Sequence, residues 1–171
     1  MKTNVKKLTR LALLCAAAIA LSAFEGLFTP LLPPGAKAGL SNVVVMLAAS
    51  TMGWLPTLTV VLFKAVFALL SRGAVSAAFS ALGGLCSAIL LLFLFRYGKL
   101  LGVFGISLLG AFTHSAAQLL LSYALYGAAI FAYAPVFLLL SVPSGLITAA
   151  ALRATLALSS RRQHQGKERK I

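Results

Sequence analysis

The chain has 171 residues, of which 61% are hydrophobic and only 10% charged, with a formal net charge of +13. A soluble domain carries about 25% charged residues, so this composition excludes an ordinary water-soluble globule and points to a surface that faces lipid. The positive excess does not signal nucleic acid. Lys and Arg stand at the ends of apolar runs and in the two tails, with almost none on an amphipathic face, where a phosphate-binding surface would need them. The length suits one domain and leaves no room for a membrane bundle plus a catalytic domain.

The first apolar run, about Leu11 to Phe28, follows Lys2, Lys6, Lys7 and Arg10. At about 18 residues it is long enough to span. A signal peptide has the same layout, but Leu14 is too large a neighbour for lipoprotein cleavage at Cys15, and a retained helix is the favoured reading. Thr29-Pro30-Leu31-Leu32-Pro33-Pro34-Gly35 is a loop by its prolines and glycine. The second helix is predicted from about Ala38 to Thr51. Gly53-Trp54-Leu55-Pro56 is a tight turn, with Trp54 suited to a membrane interface and Pro56 to the first turn of a helix. The third helix runs from about Leu55 to Leu70 and turns at Ser71-Arg72-Gly73. The fourth covers about Val75 to Phe95 and closes on Arg96-Tyr97-Gly98-Lys99. The fifth covers about Leu101 to Tyr123, and Ala124 to Tyr133 reads as an interfacial segment. The sixth runs from about Pro135 to Ala157, with Pro143 as a kink. The expected fold is therefore all-α: a polytopic bundle of six transmembrane helices within residues 1–158. A polar, basic tail over 159–171 is predicted to be disordered.

Charge sets the orientation, because Lys and Arg accumulate on cytoplasmic loops. With the N-terminus inside, six spans place Lys2, Lys6, Lys7, Arg10, Arg96, Lys99, Arg153, Arg161, Arg162, Lys167, Arg169 and Lys170 in the cytoplasm. Lys37 and Arg72 fall outside, and Lys64 stays in the membrane. Twelve against two predicts that both termini of this multi-pass protein of the cell membrane are cytoplasmic.

The chain has no Asp, and its acids are Glu25 and Glu168. A magnesium-dependent phosphate site built on clustered carboxylates and a local carboxylate pair for acid–base work are both excluded. Cys15 and Cys86 lie in apolar runs without metal-ligand spacing, and His164 is far in sequence from His114. No catalytic residue, metal or cofactor is expected. Polar groups inside a bilayer are costly and mark function by default. Counted along the helices at about 1.5 Å per residue, Glu25, Asn42, Lys64, His114 and Gln118 all lie from the midplane outward. Lys37 and Arg72 sit at the outer rim. His114 and Gln118, four apart, share one helix face. Two readings follow. Glu25, Lys37, Asn42, Lys64, His114 and Gln118 could line a ligand pocket open to the outside. Alternatively they pair to hold the bundle together, Glu25 with Lys64 and Gln118 across helices. Ala12, Ala16 and Ala20 repeat every fourth position, which suits close docking by another helix but also arises in any alanine-rich span.

Glu25-Gly26-Leu27 followed by Pro33-Pro34-Gly35-Ala36-Lys37-Ala38-Gly39-Leu40-Ser41-Asn42-Val43-Val44 resembles the membrane family called heptaprenyl diphosphate synthase component I, or Gx transporter, which typically reads P-G-x-K-L-G-L-A-N-I here. Ser80-Ala81-Leu82-Gly83-Gly84-Leu85 looks like its second glycine motif. Gly105 through Leu119 looks like its G-x-x-x-H-N-x-x-Q segment, with His114 and Gln118 in place. The similarity covers about residues 10 to 157. Ala38 replaces the usual Leu, Ser115 the usual Asn, and Lys64 stands for the usual Arg, which loses the planar bidentate fork.

The family is similar in architecture to the substrate-binding S components of energy-coupling factor transporters. The resemblance thus implies a six-helix subunit that binds a small molecule from outside. Its partners would be an energising module of a transmembrane T subunit and ATPases. The family's other name implies a different role, a non-catalytic subunit beside a polyprenyl diphosphate synthase in isoprenoid quinone synthesis. A lipid or prenyl ligand in the bundle stands between the two.

Overall fold

The computed structural model describes residues 2–33, 36–37, 39–98 and 101–168. Among them the regular structure is entirely helical: α1 (Lys2–Phe28), α2 (Asn42–Thr51), α3 (Trp54–Tyr97), α4 (Val103–Tyr126) and α5 (Ala134–Glu168), with 3₁₀ turns at Thr29–Leu31 and Ala128–Tyr133. Four stretches are long and apolar enough to cross a membrane: Val5–Leu31, Trp54–Tyr97, Val103–Tyr126 and Ala128–Thr155.

The long α3 is two helices. Gly73 breaks it with φ 83° and ψ 178°, a conformation open to glycine and costly for any side chain. The halves fold back on each other. Val61 packs on Gly84, where a Cβ would come within 2.9 Å of Val61 Cγ1, and Val60 and Val61 share an apolar cluster with Ala88. Residues 61 and 84 are nearly equidistant in sequence from Gly73, as a hairpin requires. The predicted turn at Ser71-Arg72-Gly73 thus narrows to one residue, with Ser71 and Arg72 still helical.

At about 1.5 Å per residue the half before Gly73 is about 28 Å long and the half after it about 36 Å, so Gly73 and the α2–α3 junction at Gly53 mark opposite ends of the bundle. These are called the Gly73 end and the Gly53 end below. α4 packs chiefly on α5 and α3, α2 on α3 and α5, while α1 touches only α2 and α3 among the described helices. Most members of the apolar clusters lie toward the Gly53 end: Cys15, Val44, Val45, Ala48, Val60, Val61 and Ala88 in one, Met46, Ala49, Leu91, Ile106 and Leu152 in the other. The exterior is the reverse of a soluble protein's. Leu70 and Leu139 are 81% and 71% exposed, while Lys64 and Gln118 are 3% and 0%.

Several expected boundaries move. α1 begins at Lys2 rather than near Leu11, because lysine, arginine and leucine all favour a helix once it is nucleated. The predicted start of the second helix, Ala38, lies outside the described residues. The observed start at Asn42 follows Gly39, whose φ of 77° holds a left-handed turn. α5 passes through Pro143 and continues to Glu168. The polar stretch expected to be a disordered tail is thus helical in backbone as far as 168, carried by good helix formers such as Arg, Gln, Lys and Glu, and 169–171 lie outside the described residues.

The Gly84–Val61 contact yields a test. Gly84→Leu should destabilise the α3 hairpin by about 1–3 kcal/mol through overpacking, read as a lower melting temperature in detergent, and Val61→Ala in the same chain should recover part of the loss. Full stability of the single variant would mean that the two halves are not pressed together there.

Candidate functional site

The polar residues gather toward the Gly73 end. On α1, Cys15, Ala18, Ser22 and Glu25 form the buried stripe, spaced by three and four as one helix face requires. Glu25, close to the end of the helix, reaches into the loop before α2. Its carboxylate accepts the N–H of Leu40 at 2.8 Å, the N–H of Ser41 at 3.3 Å and the Ser41 hydroxyl at 2.6 Å. The acid therefore sits at the start of α2, where the positive end of the helix dipole favours an anion.

Asn42 opens α2 and accepts a hydrogen bond from Lys64 Nζ at 2.8 Å. Both side chains are buried. The expected contact pair of Glu25 with Lys64 is absent: no salt bridge forms among the described residues, and Glu25 is engaged by the 40–41 segment instead. Its charge still acts on Lys64 from beyond contact. The reason is geometric, since two backbone N–H groups and a hydroxyl lie nearer to the carboxylate than the ammonium does.

On α4, His114 and Gln118 bond to each other through the two Nε2 atoms at 3.0 Å. An amide nitrogen can only donate, so His114 Nε2 accepts and its proton resides on Nδ1, an assignment that follows from the hydrogen-bond network. Nδ1 faces the Gly83 main chain without completing a hydrogen bond. The ring needs the glycine, because a Cβ there would lie 2.7 Å from both Nδ1 and Cε1. Gln118 therefore bonds within α4, not across helices.

Above this core is an opening of ≈ 360 Å³ at the Gly73 end, lined by Lys37, Arg72, Ser76, Phe79 and Tyr126 among others. Lys37 Nζ donates to the Ser76 carbonyl at 3.0 Å and its hydroxyl at 3.4 Å. Arg72 Nη2 donates to Ser22 Oγ at 2.8 Å. Of the six residues expected to bind ligand, Lys37 lines this cavity. Asn42, Lys64, His114 and Gln118 are buried behind it, and Glu25 holds the loop. A larger cavity of ≈ 630 Å³ lies at the Gly53 end. Among the described residues its lining has one cation, the exposed Arg96, and the Ser50 and Thr51 hydroxyls that line it are bound to the Leu47 carbonyl, so those residues build no comparable polar core.

The family model for heptaprenyl diphosphate synthase component I matches residues 14–155. The chain belongs to that family. The match spans every residue of the site just described, from Ser22 to Tyr126. No curated protein and no solved structure matches the chain.

In this member of the family, Arg72, Ser76, Phe79 and Tyr126 line the cavity and were not among the expected site residues. Arg72 had a signal in the sequence, since it stands in the predicted turn at Ser71-Arg72-Gly73, but a turn arginine reads first as a topology charge. Phe79 and Tyr126 are apolar or interfacial by type and carry no signal. Ala12, Ala16 and Ala20 are all exposed, on the side of α1 away from its buried stripe.

The Glu25 tie can be tested. Glu25→Ala leaves the Leu40 and Ser41 N–H groups without their acceptor and should lower stability by about 1–3 kcal/mol. Limited proteolysis of the 32–41 loop should quicken with it. An unchanged melting curve and cleavage rate would show that the carboxylate does not hold this loop.

Proposed function

We propose that the chain is a membrane-embedded binding subunit of a small-molecule uptake system, which captures its ligand at the Gly73 end. The observation that carries this reading is the cavity between Lys37 and Arg72, with buried polar groups directly behind it and an apolar core toward the other end. A binding site that faces one side only is what capture requires. In this reading the chain makes six passes of the cell membrane, counting α3 as two, with the ten-residue α2 covering about half of its pass. Both termini are cytoplasmic, and the Gly73 end faces out. The support is the charge distribution along the sequence together with the reversal at Gly73.

α1 is the natural docking helix of this reading. Among the described helices it packs on α2 and α3 alone, and Ala12, Ala16 and Ala20 leave a shallow exposed strip against which another helix could approach closely. The partner would be an energising module of a transmembrane subunit and ATPases.

The family's description favours a second reading, a non-catalytic membrane subunit that anchors or regulates a polyprenyl diphosphate synthase. The chain has no Asp with which to build a clustered metal–diphosphate site, so the chemistry would belong to the partner. A polytopic bundle with a polar cavity is more than an anchor requires, and this favours the first reading.

Two experiments test the proposal. Lys64→Met should abolish retention of the copurifying small molecule while expression stays intact, and normal retention would leave Lys64 a purely structural role. Reporter fusions after Lys99 and after Lys170 should both report cytoplasm, and an external signal at either site would reject the topology.

A further inference from the structure

Hydrogen-bond donors and acceptors in the cavity wall and in the buried core behind it do not balance. Arg72 Nη2 is paired with Ser22, but the buried Nη1 has no partner. Asn42 gives its carbonyl to Lys64, and its buried Nδ2 has no partner either. His114 Nδ1 is the third unpaired buried atom and, in the tautomer assigned above, also a donor. Gln118 Oε1 is the one unpaired acceptor in the set. Buried polar groups are almost always satisfied; of these atoms Arg72 Nη1 belongs to a residue that lines the cavity, and it calls for an acceptor there.

The charges lean the same way. Lys37, Lys64 and Arg72 lie within electrostatic reach of one another, with Glu25 as the opposing charge. That carboxylate already accepts three hydrogen bonds from residues 40 and 41. At the cavity wall the guanidinium lies against α1 where Gly26 leaves room, since a Cβ there would come within 3.3 Å of Nη1. The rest of the wall is mostly apolar, with Pro30, Val75, Phe79 and the ring of Tyr126 beside the hydroxyls of Thr29 and Ser76.

We propose that this cavity takes a small organic anion, its carboxylate or phosphate group held between Arg72 and Lys37 and its apolar body against Phe79 and Tyr126. The inference rests on the binding-subunit reading and names the ligand class of that site. The volume of ≈ 360 Å³ sits near the lower end of the roughly 300–1,000 Å³ typical of small-molecule sites. Arginine presents a planar fork that matches either oxyanion, and lysine adds a point charge.

Lys37 makes the site sensitive to pH. It lies in the loop, where burial first, then the charges of Lys64 and Arg72, push its pKa down to about 7, with Glu25 pulling the other way. Ser76 accepts from it, and Tyr126 is the titratable group that α4 brings to the same cavity. A group with a lowered pKa is protonated below that value and neutral above it. A bound anion favours the protonated form, so binding should strengthen as pH falls from about 8 to about 6.

The test uses the full chain in an uncharged maltoside detergent, titrated with benzoate, phenyl phosphate and neutral benzyl alcohol and followed by saturation-transfer NMR. One or both anions should bind saturably and the alcohol should not, and the preferred anion tells carboxylate from phosphate. Arg72→Gln and Lys37→Gln should each weaken that binding by about tenfold or more, while Arg72→Lys should keep part of it. Benzoate, whose charge is constant between pH 6 and 8, reads the pH arm. If Arg72→Gln fails to fold, Lys37→Gln and Phe79→Ala decide, the latter by weakening the aromatic anions. Absence of saturable anion binding, equal binding of the alcohol, or wild-type affinity in Lys37→Gln would overturn the inference. So would displacement of both probes by phosphatidylglycerol at equal concentration, which would assign the cations to lipid headgroups. Lys64→Met separates this inference from the reading beneath it. An uncharged copurifying molecule lost in Lys64→Met but kept in Arg72→Gln would leave the binding subunit standing and remove the anion.

Discussion

Lys64 stands in the wall of a bundle whose outer surface is leucine and phenylalanine, and it is 3% exposed. An ammonium at the centre of a membrane helix costs about 2.5–3.5 kcal/mol on insertion scales, which only polar contacts inside the bundle can offset. Asn42 supplies one of them. Asn42 is in place because α2 starts there, and that start depends on Gly39 and on the grip of Glu25 on Leu40 and Ser41. The carboxylate of α1, the loop, the start of α2 and the lysine of α3 form one line of dependence. A change at Glu25 reaches Lys64 without touching it.

This arrangement explains why the acid does not neutralise the base directly. A buried ion pair returns its desolvation cost only with good geometry and further hydrogen bonds. Glu25 finds three hydrogen bonds at the α2 start, including two from backbone groups that would otherwise lack an intrahelical partner. Its charge is thereby held in place, while Lys37, Lys64 and Arg72 keep donors that point to no carboxylate. The protein thus separates the job of fixing the loop from the job of balancing the cations.

The helical pattern was legible in the sequence because apolar runs and turn residues punctuate it strongly. Gly73 and Gly98 each stand in the turn that closes a predicted segment, and the break at Gly73 is where Ser71-Arg72-Gly73 suggested it. Burial of Asn42, Lys64, His114 and Gln118 was legible too, because polar groups in a membrane helix turn inward. Partner choice was not. Nothing in the spacing of Glu25 and Lys64 says that two backbone amides 15 and 16 residues on will reach the carboxylate first. The cavity wall was equally hidden, since Phe79 and Tyr126 look like any other lipid-facing aromatic until the fold brings them beside Arg72.

The bundle is also closed where a passage would have to run. Beneath the polar core, the space between Asn42, Met46, Ser87, Leu91, Ser107, Gly110, Ala111 and Thr148 amounts to ≈ 10 Å³, about what one water needs. Below it Met46, Leu91, Ile106 and Leu152 pack together. A ligand entering at the Gly73 end therefore meets a sealed floor, and the large cavity at the Gly53 end does not share its lining residues. Movement of a ligand across the protein would require the helices to separate or the whole bundle to reorient. Among the described helices α1 packs on α2 and α3 alone, so its displacement disturbs little packing, and through Glu25 it also holds the loop beside the cavity.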